Sequence, residues 1–132
     1  GGAQVLAGGR PVDAKRNIYA ATLLTGTTAS MKVNCAEVFG PVAILEEVAD
    51  FHEAISRVND SVYGLQVGVF TPHIERMKQA HDELAVGGVI MNQVPGFRMD
   101  SMPYGGIKAS GLGREGVKYA MEAMSEPRLL IY

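Results

Sequence analysis

From Val42 to Asn92, apolar runs of strand length alternate with helical periodicity across short joints, and few folds accept that order. Gly40-Pro41 breaks regular structure just before an apolar strand over Val42 to Val48. Asp50 is placed to cap a helix, because its carboxylate can accept from first-turn amides and Glu53 stands at the capping-box position. Phe51, Ala54, Ile55 and Val58 then recur at i, i+3, i+4 and i+7, which defines one buried helical face ending near Asn59-Asp60-Ser61. Gly64 leads into a strand over Leu65 to Phe70. Thr71-Pro72 is a second helix start, with Thr71 capping and Pro72 at the first helical position, where a missing N–H costs nothing. Ile74, Met77, Ala80, His81 and Leu84 carry its stripe until Gly87-Gly88, and Val89 to Asn92 is the next strand. Strand, helix, strand, helix, strand in about fifty residues predicts an α/β fold with a mostly parallel sheet built from right-handed βαβ crossovers.

The flanks are less regular. Gln4 to Leu6 and Asn17 to Leu24 read as strands, with Thr25 to Ser30 as loop. After Asn92 the pattern lapses through Gln93 to Gly111, a length that is usually functional or disordered. Val117, Ala120, Met121 and Met124 mark a third helix that must stop before Pro127, and Arg128 to Tyr132 reads as a final strand without a sequence neighbour to pair with. Within this region Met102 to Gly116 holds five glycines and three charges in fifteen residues. So flexible a stretch cannot offset the entropy of its own ordering, which predicts a ligand or partner surface lying against it.

Several classes fall away on charge and composition. A chain of 132 residues with 47% apolar residues can bury one core, so a single domain is the default. A net charge of −2 with scattered Lys and Arg gives no footprint for nucleic acid or anionic membrane, and no apolar run approaches spanning length. The single cysteine, Cys35, forms neither an internal disulfide nor a multi-cysteine metal site, which fits a reducing cytoplasm. The N-terminal stretch lacks the basic and apolar regions of a secretory signal. It also lacks an initiator methionine, as expected of a processed chain or a piece of a longer one.

Gly111-Leu112-Gly113-Arg114-Glu115-Gly116 fits G-x-G-x-x-G, yet no strand runs into it and only sixteen residues follow, too few for a ribose-binding acid on a second strand. A glycine turn beneath a helix start is the preferred reading. Cys35 has no histidine near it in sequence, and His52, His73 and His81 fall on helices or their starts, so an inert thiol is expected. Glu37 and Phe39, two apart, share one face of an extended segment. A carboxylate can accept both hydroxyls of a ribose and an aromatic can pack on a flat heterocycle, although on spacing alone a surface acid beside a core phenylalanine fits better. Phe97, Arg98, Asp100 and Tyr104 could line a pocket, or form an ordinary loop with an Arg and Asp pair worth little.

Taken in order, Glu37-Val-Phe-Gly-Pro-Val42, Asn59-Asp-Ser-Val-Tyr-Gly-Leu65 with Gly68-Val-Phe-Thr71, Gly88-Val-Ile-Met-Asn92 and Met102-Pro-Tyr-Gly-Gly-Ile-Lys-Ala-Ser-Gly-Leu-Gly-Arg-Glu-Gly116 resemble the aldehyde dehydrogenase superfamily. The resemblance runs from about Gly2 to the C-terminus but covers only the family's C-terminal part. It implies that residues 1–126 are the later portion of a catalytic domain and 127–132 the last strand of an oligomerisation sheet, hence a homo-oligomer. The nucleotide-binding domain, catalytic cysteine, general-base glutamate and oxyanion-hole asparagine would lie upstream. Cys35 does not match the family nucleophile, which follows a glycine-glutamine pair, whereas Val33-Asn34 precede Cys35.

By the same resemblance Glu37 binds the nicotinamide ribose of NAD or NADP, Phe39 lies beside the nicotinamide ring, and Phe97 and Tyr104 shape the entrance for an aldehyde that is oxidised to a carboxylic acid. The chain alone would then be inactive, with no catalytic residue and no metal ligand of its own. Tyr104 stands where many relatives have phenylalanine. With Arg98 and Asp100 nearby, its hydroxyl suggests a small polar or anionic aldehyde, as in the lactaldehyde, phosphonoacetaldehyde or succinate-semialdehyde branch. The competing expectation is a non-catalytic α/β module that pairs through its terminal strand.

Overall fold

In the computed structural model, which describes all 132 residues, the chain forms two units, Gly1–Ala49 and Asp50–Tyr132. The first unit carries strands β1 (Gln4–Ala7), β2 (Pro11–Asp13), β3 (Ile18–Tyr19), β4 (Thr22–Thr25) and β5 (Val42–Ile44), with a one-turn helix α1 (Lys32–Cys35). Its main sheet has the order β1-β4-β5. β1 runs antiparallel to β4 with Val5 opposite Leu24, and β5 runs parallel to β4 with Leu23 opposite Ala43.

The single strand expected over Asn17 to Leu24 is broken in two. Asn17 turns left-handed at φ 54°, a conformation asparagine tolerates, and Asp13 Oδ1 accepts from the amides of Lys15 and Arg16 to close the β2–β3 hairpin. Thr22 makes the second break. Its hydroxyl donates to Ala20 O at 2.9 Å and accepts from Gly9 N at 2.9 Å, with the residue 8% exposed. Thr22→Val keeps the shape and loses both bonds, leaving a part-buried amide unpaired. We expect it to cost about 1–2 kcal/mol in chemical denaturation, and a loss under ~0.3 kcal/mol would remove Thr22 as the lock.

The second unit contains α2 (Phe51–Asn59), β6 (Tyr63–Gly64), β7 (Gln66–Val69), α3 (Ile74–Glu83), β8 (Gly88–Met91), β9 (Ile107–Lys108) and α4 (Val117–Ala123). Asp50 caps α2 as expected, Oδ1 accepting from Glu53 N at 2.8 Å, and Glu53 pairs with Arg57 one turn on. β7, α3 and β8 form a βαβ unit whose strands pair in parallel, Val67 opposite Val89 and Val69 opposite Met91. Ile55 of α2, Val69 of β7, Ala80 of α3 and Leu84 form the core, flanked by Phe51, Val67, Val86, Val89 and Met91.

Other expectations are corrected. The sheets are mixed rather than mostly parallel: β4·β5 and β7·β8 are parallel, while β1·β4, β2·β3 and β6·β9 are antiparallel. β5 and β7 also belong to different sheets. The antiparallel partners are strands of two to four residues, too short to register as periodicity. Thr71 does not cap α3; His73 takes that position, and Thr71 Oγ1 accepts from His73 N in a turn ahead of it. α3 ends at Glu83, before Gly87-Gly88, and Ile74 at its start is exposed. α4 forms where expected, but its Val117, Met121 and Met124 stripe is exposed. Arg128 to Tyr132 forms no ladder, because a strand needs a partner edge and no strand of the chain pairs with it.

Candidate functional site

In the first unit the crossover from β4 to β5 passes through α1 and then a tight turn. Gly40 N donates to Val38 O at 2.9 Å, Val42 N to Gly40 O at 2.8 Å, and Thr22 N to Pro41 O at 2.8 Å. These bonds fix the backbone from Val38 to Val42 against β4 and leave the preceding side chains projecting. Phe39 is 96% exposed, and Glu37, also exposed, lines an apolar cleft of about 570 Å³ together with Val5, Tyr19, Leu24, Val33 and Val38 among others. The reading of Phe39 as a core residue is thereby overturned. An aromatic ring left in water forgoes about 1.5–3 kcal/mol of burial, so its exposure calls for an apolar partner. The neighbouring carboxylate offers acceptors to hydroxyls.

Cys35 ends α1 and is exposed, and nowhere do three His, Cys, Asp or Glu side chains converge as a metal site.

In the second unit the glycine-dense loop is tied to its own chain at several points. β9 pairs with β6, Ala109 N donates to Val62 O, and Gly64 N donates to Ser110 Oγ at 2.9 Å. Tyr104 and Glu115 exchange both backbone hydrogen bonds, at 3.1 and 2.6 Å. Arg114 Nη1 donates to Gly106 O and Gly113 O, while Lys108 Nζ donates to Asn59 O and Ser61 O, satisfying carbonyls at the end of α2. Gly116, at φ 116°, starts α4, in keeping with a turn beneath a helix start.

Tyr104 is half-buried, its ring lying under the Arg98 guanidinium at 4.6 Å from the centroid. Arg98 Nη2 pairs with Glu115 Oε2 at 2.9 Å, so the expected Arg and Asp pair is replaced by one to Glu115. With the two side chains 45% and 64% exposed, that pair adds little stability, but it aims the guanidinium at the ring. Phe97 is exposed, and its carbonyl accepts from Gln66 Nε2 at 3.0 Å. Sequence spacing does not point to Glu115 or Gln66, since both act across loops of unpredictable path. Glu37 and Phe39 thus lie in the first unit, Phe97 and Tyr104 in the second.

The profile of the aldehyde dehydrogenase family matches residues 1–130. A 3-sulfolactaldehyde dehydrogenase of Priestia aryabhattai is 45% identical over 130 residues, which is 98% of this chain and 27% of that protein. Aldehyde dehydrogenase 21 from Physcomitrella patens, solved with the reaction product succinate, superposes with a TM-score of 0.87 at 41% identity over 93% of this chain and 25% of that one. Betaine aldehyde dehydrogenase from Staphylococcus aureus, solved with NAD+, does so with 0.84 at 35% identity over 92% and 25%. The chain spans about a quarter of the length of these relatives.

Proposed function

The chain belongs to the aldehyde dehydrogenase family, and from that premise we propose that it is the C-terminal portion of the catalytic domain of an NAD(P)-dependent enzyme oxidising an aldehyde to a carboxylic acid. In this reading residues 1–126 are the later portion of the catalytic domain, and 127–132 supply an oligomerisation strand whose exposed Leu129, Leu130 and Ile131 await a partner edge in a homo-oligomer. The nucleophilic cysteine and general base belong to parts of the enzyme outside these residues. The 132-residue chain is therefore inactive alone, since chemistry needs both groups against the substrate. A cytoplasmic location suits an exposed, unpaired Cys35.

The observation that carries the reading is the projecting pair on the β4–β5 crossover. Phe39 offers an accessible apolar face and Glu37 a carboxylate acceptor close by in sequence, a pairing that suits a flat ring joined to a ribose. NAD or NADP, when bound, would supply the hydride acceptor. Glu37 would hold the ribose hydroxyls and Phe39 would limit the ring's tilt. Phe97 and Tyr104 line the aldehyde entrance, with Arg98 over the tyrosine ring. A small polar or anionic aldehyde suits the Tyr104 hydroxyl and the polar Arg98–Glu115 pair and agrees with relatives named for sulfolactaldehyde and solved with succinate. The alternative, a stand-alone interaction module, is not favoured.

In the complete protein Glu37→Gln is expected to raise the cofactor KM about tenfold, the equivalent of ~1.4 kcal/mol for charge-assisted hydrogen bonds, with Phe39→Ala acting in the same direction. NAD(P)H absorbance measures this directly. Unchanged cofactor KM in both variants would sink the assignment.

A further inference from the structure

The β4–β5 crossover contains a polar tie that the cofactor reading does not use. We propose that the hydrogen bond from Asn34 to Glu46 is a positioning device that holds α1, and with it Glu37 and Phe39, in register for the dinucleotide. This inference rests on the cofactor-binding role given to Glu37 and Phe39 above.

α1 has little else to fix it. It is four residues long, has no side-chain cap on its N-terminus and buries no residue. A helix of one turn lies far below the length that sustains itself in water. Its direction must come from an outside anchor. Asn34 Nδ2 donates to Glu46 Oε1 at 3.0 Å, and the same oxygen accepts from Thr27 Oγ1 at 3.3 Å. Thr27 follows β4, Asn34 sits on α1 and Glu46 follows β5, so one carboxylate oxygen gathers three points of the crossover.

Glu46 is itself anchored through its neighbour: Leu45 N donates to Leu24 O at 2.8 Å and Leu45 O accepts from Thr25 Oγ1 at 3.0 Å. Asn34 Oδ1 is buried and has no partner, so the Glu46 bond alone sets the amide's orientation; a flip would oppose two oxygens. From Asn34 only two residues separate the tie from Glu37. Loosening it would let the turn before Val38 pivot while the bonds from Val38 to Val42 stay intact.

The test uses the complete enzyme with four variants, Asn34→Leu, Glu46→Leu, the double Leu variant and Glu46→Gln, alongside Glu37→Gln. The NAD+ and NADP+ dissociation constants, kcat and the aldehyde KM are measured for each. Each single Leu variant is expected to weaken cofactor binding about three- to tenfold, with kcat and aldehyde KM within about twofold. The double variant should lose no more than Glu46→Leu alone, since that variant already removes the Asn34 bond along with the one from Thr27. Glu46→Gln keeps an acceptor and should stay within about twofold of the parent. Should a Leu variant fail to fold, amide exchange at Ala36 to Phe39 in Glu46→Gln against Glu46→Ala decides, the alanine variant alone exchanging faster. Cofactor binding that weakens in Glu37→Gln yet is unchanged in the Leu variants, additive losses, or lost stability without lost affinity each overturn this inference alone. No change in Glu37→Gln or Phe39→Ala overturns the cofactor assignment, and the inference falls with it.

Discussion

Alanine at Gly87 is expected to destabilise the unit from Asp50 to Tyr132 by at least about 3 kcal/mol, the largest effect of any single methyl in the chain. A Cβ there would run into Gly105 O and lie 2.8 Å from Gly105 C and 3.0 Å from Leu65 O. All three are backbone atoms, so no flexible side chain can give way. Gly87 N also donates to Gly64 O, and Gly88 N to Leu65 O, which pins this point to the β6–β7 segment. The methyl must therefore push away the glycine-dense loop at Gly105, one residue from Tyr104. Gly96→Ala, in the same unit, meets nothing within 4 Å and should change stability by less than about 0.5 kcal/mol. Urea denaturation of both variants measures the contrast, and a Gly87→Ala loss under ~1 kcal/mol would show that the loop does not dock there.

Asn59→Asp should cost the same unit about 2–3 kcal/mol although it changes one atom. Asn59 Nδ2 donates to Glu83 O at 2.7 Å and Oδ1 accepts from Ala85 N at 2.7 Å, so one amide joins the end of α2 to the end of α3. Aspartate keeps the acceptor but sets a carboxylate oxygen against the Glu83 carbonyl, leaving a helix-end acceptor without its donor. Asn59→Ala removes both bonds and should fall in the same range. An aspartate variant as stable as the parent, by thermal or urea unfolding, would mean that the donor half of the clamp contributes nothing.

Asn59 and Gly88 illustrate what the sequence made legible. Both are parts of motifs, and the family resemblance built on those motifs agrees with the match over residues 1–130. Their physical reasons lie in long-range contacts: Asn59 bonds across to the end of α3, and a Cβ at Gly88 would crowd the Gln66 side chain. α2 was readable because its cap and its stripe are local. α3 was placed, but its start slipped because Thr71 is engaged elsewhere, its amide donating to Asn92 Oδ1 at 2.9 Å. Of the candidate site, Glu37, Phe39, Phe97 and Tyr104 are legible in the motifs, whereas the parts of Glu115, Glu46 and Asn34 are not. Nothing in local spacing connects Arg98 to Glu115 or Asn34 to Glu46, which are brought together by loop closure.

By itself the sequence determined that α2 is a capped helix with a buried face, that α3 and α4 follow it, and that the parts alternate as in an α/β fold. Those properties are set by side chains within one or two turns of each other. Only the tertiary structure decided which strands pair and in which direction, that Phe39 projects into solvent, and that the glycine-dense loop is tied to its own chain. Pairing direction and exposure depend on the free energy of contacts between residues far apart in sequence. A two-residue strand such as β6 or β9 has no periodicity to announce it and exists only because its partner is there.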